Sequence, residues 1–211
     1  MTTAIVGTGN IGSRLAANLT RGGEPVLVAG RDEARARELA ARLGTGATPV
    51  TTDRAVAGAD VLVLAVWFET IKELIAEYGE RLNGRIVVDP SNPIAPDGKG
   101  GFVKTIPEDQ SSGTVLAALL PEGARLVKAF GTLGAESLDK LSHRTPDRAV
   151  GFYAADDETA GETVARLIRA AGFEPLSVGG IDQSRRIEVF GDLHEFSLGT
   201  VPSAEDAKSL L

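Results

Sequence analysis

Gly7, Gly9 and Gly12, in the run Ala4-Ile5-Val6-Gly7-Thr8-Gly9-Asn10-Ile11-Gly12, have the spacing of a phosphate-binding turn. An apolar strand ends at Val6 and a helix is expected from Ser13 to about Arg21, so the glycines join the two. In such a turn Gly7 permits a sharp reversal, Gly9 lets the backbone approach a pyrophosphate, and Gly12 lets helix and strand pack closely. Free N–H groups at the helix N-terminus then face the negative charge. In a chain with 25 glycines the motif alone is a weak signal, and a bare turn is the competing reading. Its position after a strand, before a helix and at the right distance from a second strand favours a dinucleotide site.

That second strand, Pro25–Ala29, ends in Gly30-Arg31. A chain that binds NAD usually presents Asp or Glu here to accept from the ribose hydroxyls, whereas an arginine pairs with the 2′-phosphate of NADP. Arg31 therefore predicts NADP(H). Arg35, one helical turn on, either joins the same phosphate or faces water. Asp32 reads as the N-cap of a helix Glu33–Leu43 rather than as a ribose ligand.

The elements that must position these residues alternate regularly. Strand-like runs at Ala47–Val50, Val61–Val66, Arg85–Asp89, Leu126–Phe130, Arg148–Ala154 and Glu174–Val178 are interleaved with helices at Glu69–Tyr78, Ser112–Leu120 and Glu158–Ala171. Continuous apolar strands between helices predict an α/β fold of Rossmann type, with a doubly wound, mainly parallel sheet buried on both faces. A single compact domain over residues 1–211 is expected, with 148–211 as a C-terminal α/β extension of the same sheet. Ligands of such sheets bind beyond the carboxyl ends of the strands, where the strand order reverses. There the chain offers Val66-Trp67-Phe68, Asp89-Pro90-Ser91-Asn92-Pro93 and Phe130-Gly131-Thr132-Leu133. Asn92, between two prolines, sits in a rigid turn able to aim its amide at a ligand, although a plain turn has the same composition. Trp67 either stacks on a ring at the pocket mouth or packs in the core or an interface.

Composition narrows the classes. A formal charge of -7 and a pI near 5.0 speak against nucleic-acid and anionic-membrane partners. No apolar run reaches membrane-spanning length, and the N-terminus runs straight into a strand, so a cytoplasmic protein with small-molecule partners is expected. The absence of cysteine excludes disulfides, thiolate catalysis and Cys-ligated metals, and no spacing suggests a metal site. His143 reads as a solvated loop residue, His194 as structural, and Asp156-Asp157 as caps of the helix that follows. No side chain is assigned a catalytic role, because hydride transfer between stacked rings needs chiefly positioning and exclusion of water.

Taken in order, Ile5–Gly12, Gly30-Arg31-Asp32, Leu64-Ala65-Val66, Val88–Pro93, Val127–Thr132, Gly151–Asp156 and Gly191–His194 resemble the coenzyme F420-dependent NADP oxidoreductase family over nearly the whole chain. The resemblance implies that Thr8, Asn10, Ile11, Arg31 and Arg35 hold NADP, with Thr8 and the arginines at the 2′-phosphate. It implies Ala65, Val66 and Asn92 along the ribose and nicotinamide, and Ala129 beside the cofactor. A deazaflavin would lie over the nicotinamide, in a cleft bordered by Pro93 and the loop after Phe130. It further implies a homodimer, with Trp67, Phe68 and the C-terminal segment as candidates for its interface. The chain departs from the family at Gly131, where the signature commonly has asparagine, and Asp182–Phe190 matches no acceptor-binding pattern. The expected function is hydride transfer between NADPH and F420 or a flavin-like ring. The alternatives are reduction of a quinone, imine, carbonyl or metal chelate, with Lys128 or His194 as the proton donor to an imine or carbonyl, and a non-catalytic NADP sensor.

Overall fold

The computed structural model describes residues 1–211. In chain order the elements are β1 (Thr3–Val6), α1 (Asn10–Arg21), β2 (Val26–Ala29), α2 (Glu33–Leu43), β3 (Ala47–Pro49), α3 (Thr52–Gly58), β4 (Val61–Leu64) and α4 (Phe68–Tyr78). There follow β5 (Ile86–Asp89), β6 (Ile94–Pro96), β7 (Phe102–Lys104), α5 (Ser112–Leu119), β8 (Arg125–Ala129) and α6 (Ala135–Lys140). The chain closes with β9 (Val150–Ala155), α7 (Glu158–Ala170), β10 (Glu174–Ser177), α8 (Glu195–Leu198) and α9 (Ala204–Lys208).

Eight strands form one sheet in the order β10-β9-β8-β5-β4-β1-β2-β3, and β6 and β7 form a separate hairpin. The chain winds outward from β1 to β2 and β3, then returns to place β4 on the other side of β1. The strand order thus reverses between β1 and β4, which is where such a sheet opens a crevice at its carboxyl edge. The residues of β1, β4 and β5 are wholly buried, because helices cover both faces. Leu15, Leu19, Leu39, Ile168 and Phe173 pack on one face, and Val56, Ile71, Ile75 and Leu116 on the other.

Most pairings are parallel, but β8 and β9 run antiparallel, with Val127 opposite Ala155. After β8 the chain makes α6 and a loop before β9 re-enters, so β9 and β10 run against the rest of the sheet. The expected strand after Ala59-Asp60 stops at Leu64, leaving Ala65 and Val66 as irregular backbone at the carboxyl edge. α1 starts at Asn10, three residues before the expected Ser13, so Gly12 lies inside its first turn. Four short helices (α3, α6, α8 and α9) and the hairpin, none expected from the sequence, complete the fold. α3 is capped by Thr51, whose hydroxyl accepts from Arg54 N at 3.2 Å. The hairpin turn is held by Asp97, whose Oδ1 accepts from the N–H groups of Lys99 and Gly101 at 2.7 and 2.8 Å. Those bonds hold its carboxyl below the usual range. No helix is long and apolar enough to cross a membrane.

Candidate functional site

The glycine turn separates what the fold needs from what a ligand would need. Gly7 has φ +123°, and a Cβ there would fall 2.2 Å from the carbonyl oxygen of Ala65. A Cβ on Gly12 would fall 2.0 Å from the carbonyl of Gly7. Both glycines are therefore required by the turn itself. Gly9 is different. Its backbone is extended, at φ −79° and ψ −163°, and a Cβ there would meet nothing within 4 Å. Nothing in the protein demands glycine at that position, so its lack of a side chain keeps space clear in front of α1. That helix has no side-chain cap and no acidic residue in its first turn, leaving its N–H groups and dipole available to an anion.

The second strand brings the expected phosphate readers together. A Cβ on Gly30 would lie 3.5 Å from the Thr8 side chain, so Thr8 sits against the Gly30-Arg31 turn. Arg31 is exposed and takes part in no ion pair. Arg35 is also exposed but lies 3.5 Å from Asp32, which caps α2 by accepting from Ala34 N and Arg35 N. The capping role read for Asp32 is the one observed. Asn10 is exposed, and Ile11, Ala65 and Val66 are half-buried along the same edge.

At the ends of β5 and β8 the picture differs from a simple set of ligand-facing side chains. Asn92 Nδ2 donates to the carbonyl of Gly131 at 2.9 Å, and its Oδ1 accepts from Val189 N at 2.7 Å. Both ends of the amide are engaged, so Asn92 joins three segments instead of projecting a free amide. Gly131 makes this possible: a Cβ there would press on the carbonyl of Pro90 at 3.0 Å. Pro93 is buried, with its carbonyl accepting from Thr105 N at 2.8 Å. Ala129 is fully buried in the core, opposite Tyr153, so its side chain faces the protein interior.

Beneath this edge lies a charged cluster that the sequence reading did not assemble. Lys128 has no exposed surface, and its Nζ donates to Asp89 Oδ2 at 2.8 Å, to Ser112 Oγ at 2.7 Å and to the carbonyl of Ser91. Glu188 stands 3.7 Å from the ammonium and accepts from Ser112 N and Gly113 N at the start of α5, at 3.1 and 3.3 Å. The hints in the sequence are single charged residues in apolar runs: Asp89 ending Ile86-Val87-Val88, Lys128 inside Leu126–Phe130 and Glu188 inside Ile187–Phe190. Two buried hydroxyls, Ser91 Oγ and Thr132 Oγ1, find no hydrogen-bond partner on these loops, an uncommon condition for native buried groups.

His194 is buried at 2% exposure and caps α8, its Nδ1 accepting from Phe196 N at 3.1 Å. Burial lowers its pKa from 6.5 to about 4; a backbone contact to Gly131 opposes this and the charge of Lys128 adds to it. The ring is therefore neutral around pH 7, in the structural role read from the sequence. Below pH 6.5 the unfolded chain takes up a proton that the folded chain refuses, so stability falls until the pH nears 4. The loss is expected to be on the order of 2 kcal/mol. His194→Asn keeps a capping acceptor and is expected to remove that loss. Urea unfolding at about pH 7 and about pH 4.5 tests this; equal pH dependence in both proteins would refute it.

The structure departs from expectation at His143, Phe68 and Asp156, and it narrows the choice at Trp67. His143 is half-buried rather than solvated, its Nε2 lying 3.0 Å from the carbonyl of Asn18. Trp67 is 62% exposed and so is not a core residue, whereas Phe68 is 3% exposed, packed in the core, and not free to form an interface. Asp157 caps α7 as expected, but Asp156 accepts from Ile181 N instead. An open depression of about 640 Å³, lined by Arg144–Asp147, Thr200–Ser203 and Asp206, contains none of the expected site residues.

Residues 2–93 match the family of coenzyme F420-dependent NADP oxidoreductases. The chain is 29% identical over 194 residues to an F420-dependent NADP reductase of Methanothermobacter thermautotrophicus, covering 87% of this chain and 83% of that protein. It is 31% identical over 184 residues to the metalloreductase STEAP3 of Rattus norvegicus, covering 87% of this chain but only 35% of that longer protein. A crystal structure of a hypothetical protein from Sinorhizobium meliloti superposes with a TM-score of 0.82 at 31% identity, covering 92% of each chain.

Proposed function

We propose that the chain, a relative of the coenzyme F420-dependent NADP oxidoreductases, passes hydride between NADPH and the flat ring of a deazaflavin. The observation that carries the NADP half is the pairing of the uncapped α1 N-terminus behind Gly9 with the unpaired Arg31 beside Thr8. Backbone N–H groups at the helix start would hold the pyrophosphate, and Arg31 with Thr8 the 2′-phosphate. Ala65 and Val66 would flank the ribose. The bound nicotinamide supplies the hydride; the protein supplies alignment and a dry surface for the transfer.

The choice of a ring acceptor rests on the polar groups at the carboxyl edge. Reduction of an imine or carbonyl calls for a positioned proton donor. Lys128 is fully buried and held by Asp89, Ser112 and Ser91, and His194 is buried and neutral. Neither is placed to hand a proton outward. A deazaflavin takes the hydride at its central ring and one proton at a ring nitrogen, which water can supply.

The test is a titration with NADPH and NADH, followed by oxidised F420, FMN or FAD with absorbance read at the nicotinamide band. NADPH is expected to bind at least about tenfold tighter than NADH, and F420 to be reduced at its expense while the flavins react slowly. Tight NADPH binding without oxidation by any ring compound would overturn the acceptor assignment and favour a sensor role.

A further inference from the structure

We propose that Phe190 is the acceptor-recognition residue of this edge, presenting its phenyl face to the flat ring that exchanges hydride with NADPH; the inference rests on the function proposed above. After β10 the chain returns across the sheet and runs from Ile187 to Phe196 as a strap over the ends of β5 and β8. Nearly every residue of the strap is fixed. Glu188 is 2% exposed and tied to the start of α5. Val189 N donates to Asn92 Oδ1 at 2.7 Å, and Gly191 N donates to the carbonyl of Glu188 at 2.7 Å. A Cβ on Gly191 would lie 2.2 Å from the carbonyl of Arg185, so only glycine fits. Farther on, Glu195 N donates to the carbonyl of Thr132 at 3.2 Å and Glu195 Oε1 accepts from Gly134 N at 2.6 Å.

Between these anchors Phe190 carries two local penalties at once. Its φ is +76°, a left-handed conformation that a bulky residue rarely adopts, and its large apolar side chain is 58% exposed. A glycine or asparagine would satisfy the same backbone with neither penalty. Strain of this kind gathers where a side chain has a task outside the fold. The residue follows directly on Val189, and so stands beside the Asn92–Gly131 link. Trp67 and Phe196 are also exposed, but Trp67 has an ordinary backbone and the Phe196 ring already packs edge-on against His194 at 4.8 Å. A phenyl group held on a rigid strap offers a flat apolar face, which fits a fused-ring acceptor better than a small aliphatic one.

The experiment compares the full-length protein with Phe190→Gly and Phe190→Asn, both compatible with left-handed backbone. Melting temperature, oligomeric state and NADPH affinity are measured first. The affinity of NADP-loaded protein for oxidised F420 is then read from F420 fluorescence. Both variants are expected to melt no lower than the parent and to bind NADPH within about twofold, while F420 binds at least about tenfold more weakly. If one variant does not fold, the other carries the comparison. Unchanged F420 affinity overturns the proposal while leaving hydride transfer standing, and so does a change confined to oligomeric state, which would make Phe190 a subunit contact. If the parent protein binds NADPH but no F420, the acceptor reading falls first and the role of Phe190 with it.

Discussion

Lys128→Met is expected to lower the unfolding free energy by about 3–5 kcal/mol, because it leaves two buried carboxylates without their cation. Asp89 and Glu188 are at most 2% exposed and cannot turn to water when the ammonium is lost. Methionine fills much of the same volume, so the loss reports charge rather than a cavity. The charges remain partly served: Glu188 keeps the N–H groups of Ser112 and Gly113, and Asp89 Oδ1 keeps Ser91 N at 2.7 Å. Combining Lys128→Met with Asp89→Asn and Glu188→Gln removes the unpaired charge and is expected to recover part of the loss. Urea unfolding of the parent, single and triple variants measures this directly. A single variant within about 1 kcal/mol of the parent would mean that the cluster is not the electrostatic anchor of the strap.

The second large effect concerns cofactor choice. Arg31→Ala is expected to weaken NADPH binding tenfold to a hundredfold, about 1.5–3 kcal/mol for one charge-assisted phosphate contact, with little change for NADH. Arg31 is exposed and free of ion pairs, so the substitution should leave the fold intact. Arg35→Ala should have a smaller effect, since its guanidinium is already near Asp32. Equal losses for NADPH and NADH would show that Arg31 does not read the 2′-phosphate.

These two cases differ in how far the sequence reveals them. The role proposed for Arg31 can be read from sequence because it depends on a glycine turn and a strand within a few tens of residues, all with strong local signals. Helix α2 was read to its observed ends for the same reason: Asp32 precedes it and Gly44 follows it. The hairpin at 94–104 and the helices at 52–58, 135–140, 195–198 and 204–208 are not legible because three to seven residues are too few to show a period. The direction of β9 was equally hidden, since an apolar strand has the same composition whichever way it runs.

The sequence by itself determined the Rossmann-type sheet and the glycine turn of its first crossover, because each follows from spacing along a short stretch of chain; the proposal that Arg31 reads NADP rests on the same short stretch. Only the tertiary structure decided which polar groups at the carboxyl edge remain free. Asn92 was read as an amide aimed at a ligand, yet it is bound to Gly131 and to Val189, 97 residues away in the chain. Lys128 and His194, the expected donors of the alternative chemistry, are enclosed by Glu188 and the strap that carries it. Phe190 is left exposed between fixed neighbours. A side chain's type sets what it can bind, but whether it is available depends on partners brought together by folding, and those partners lie far from it in sequence.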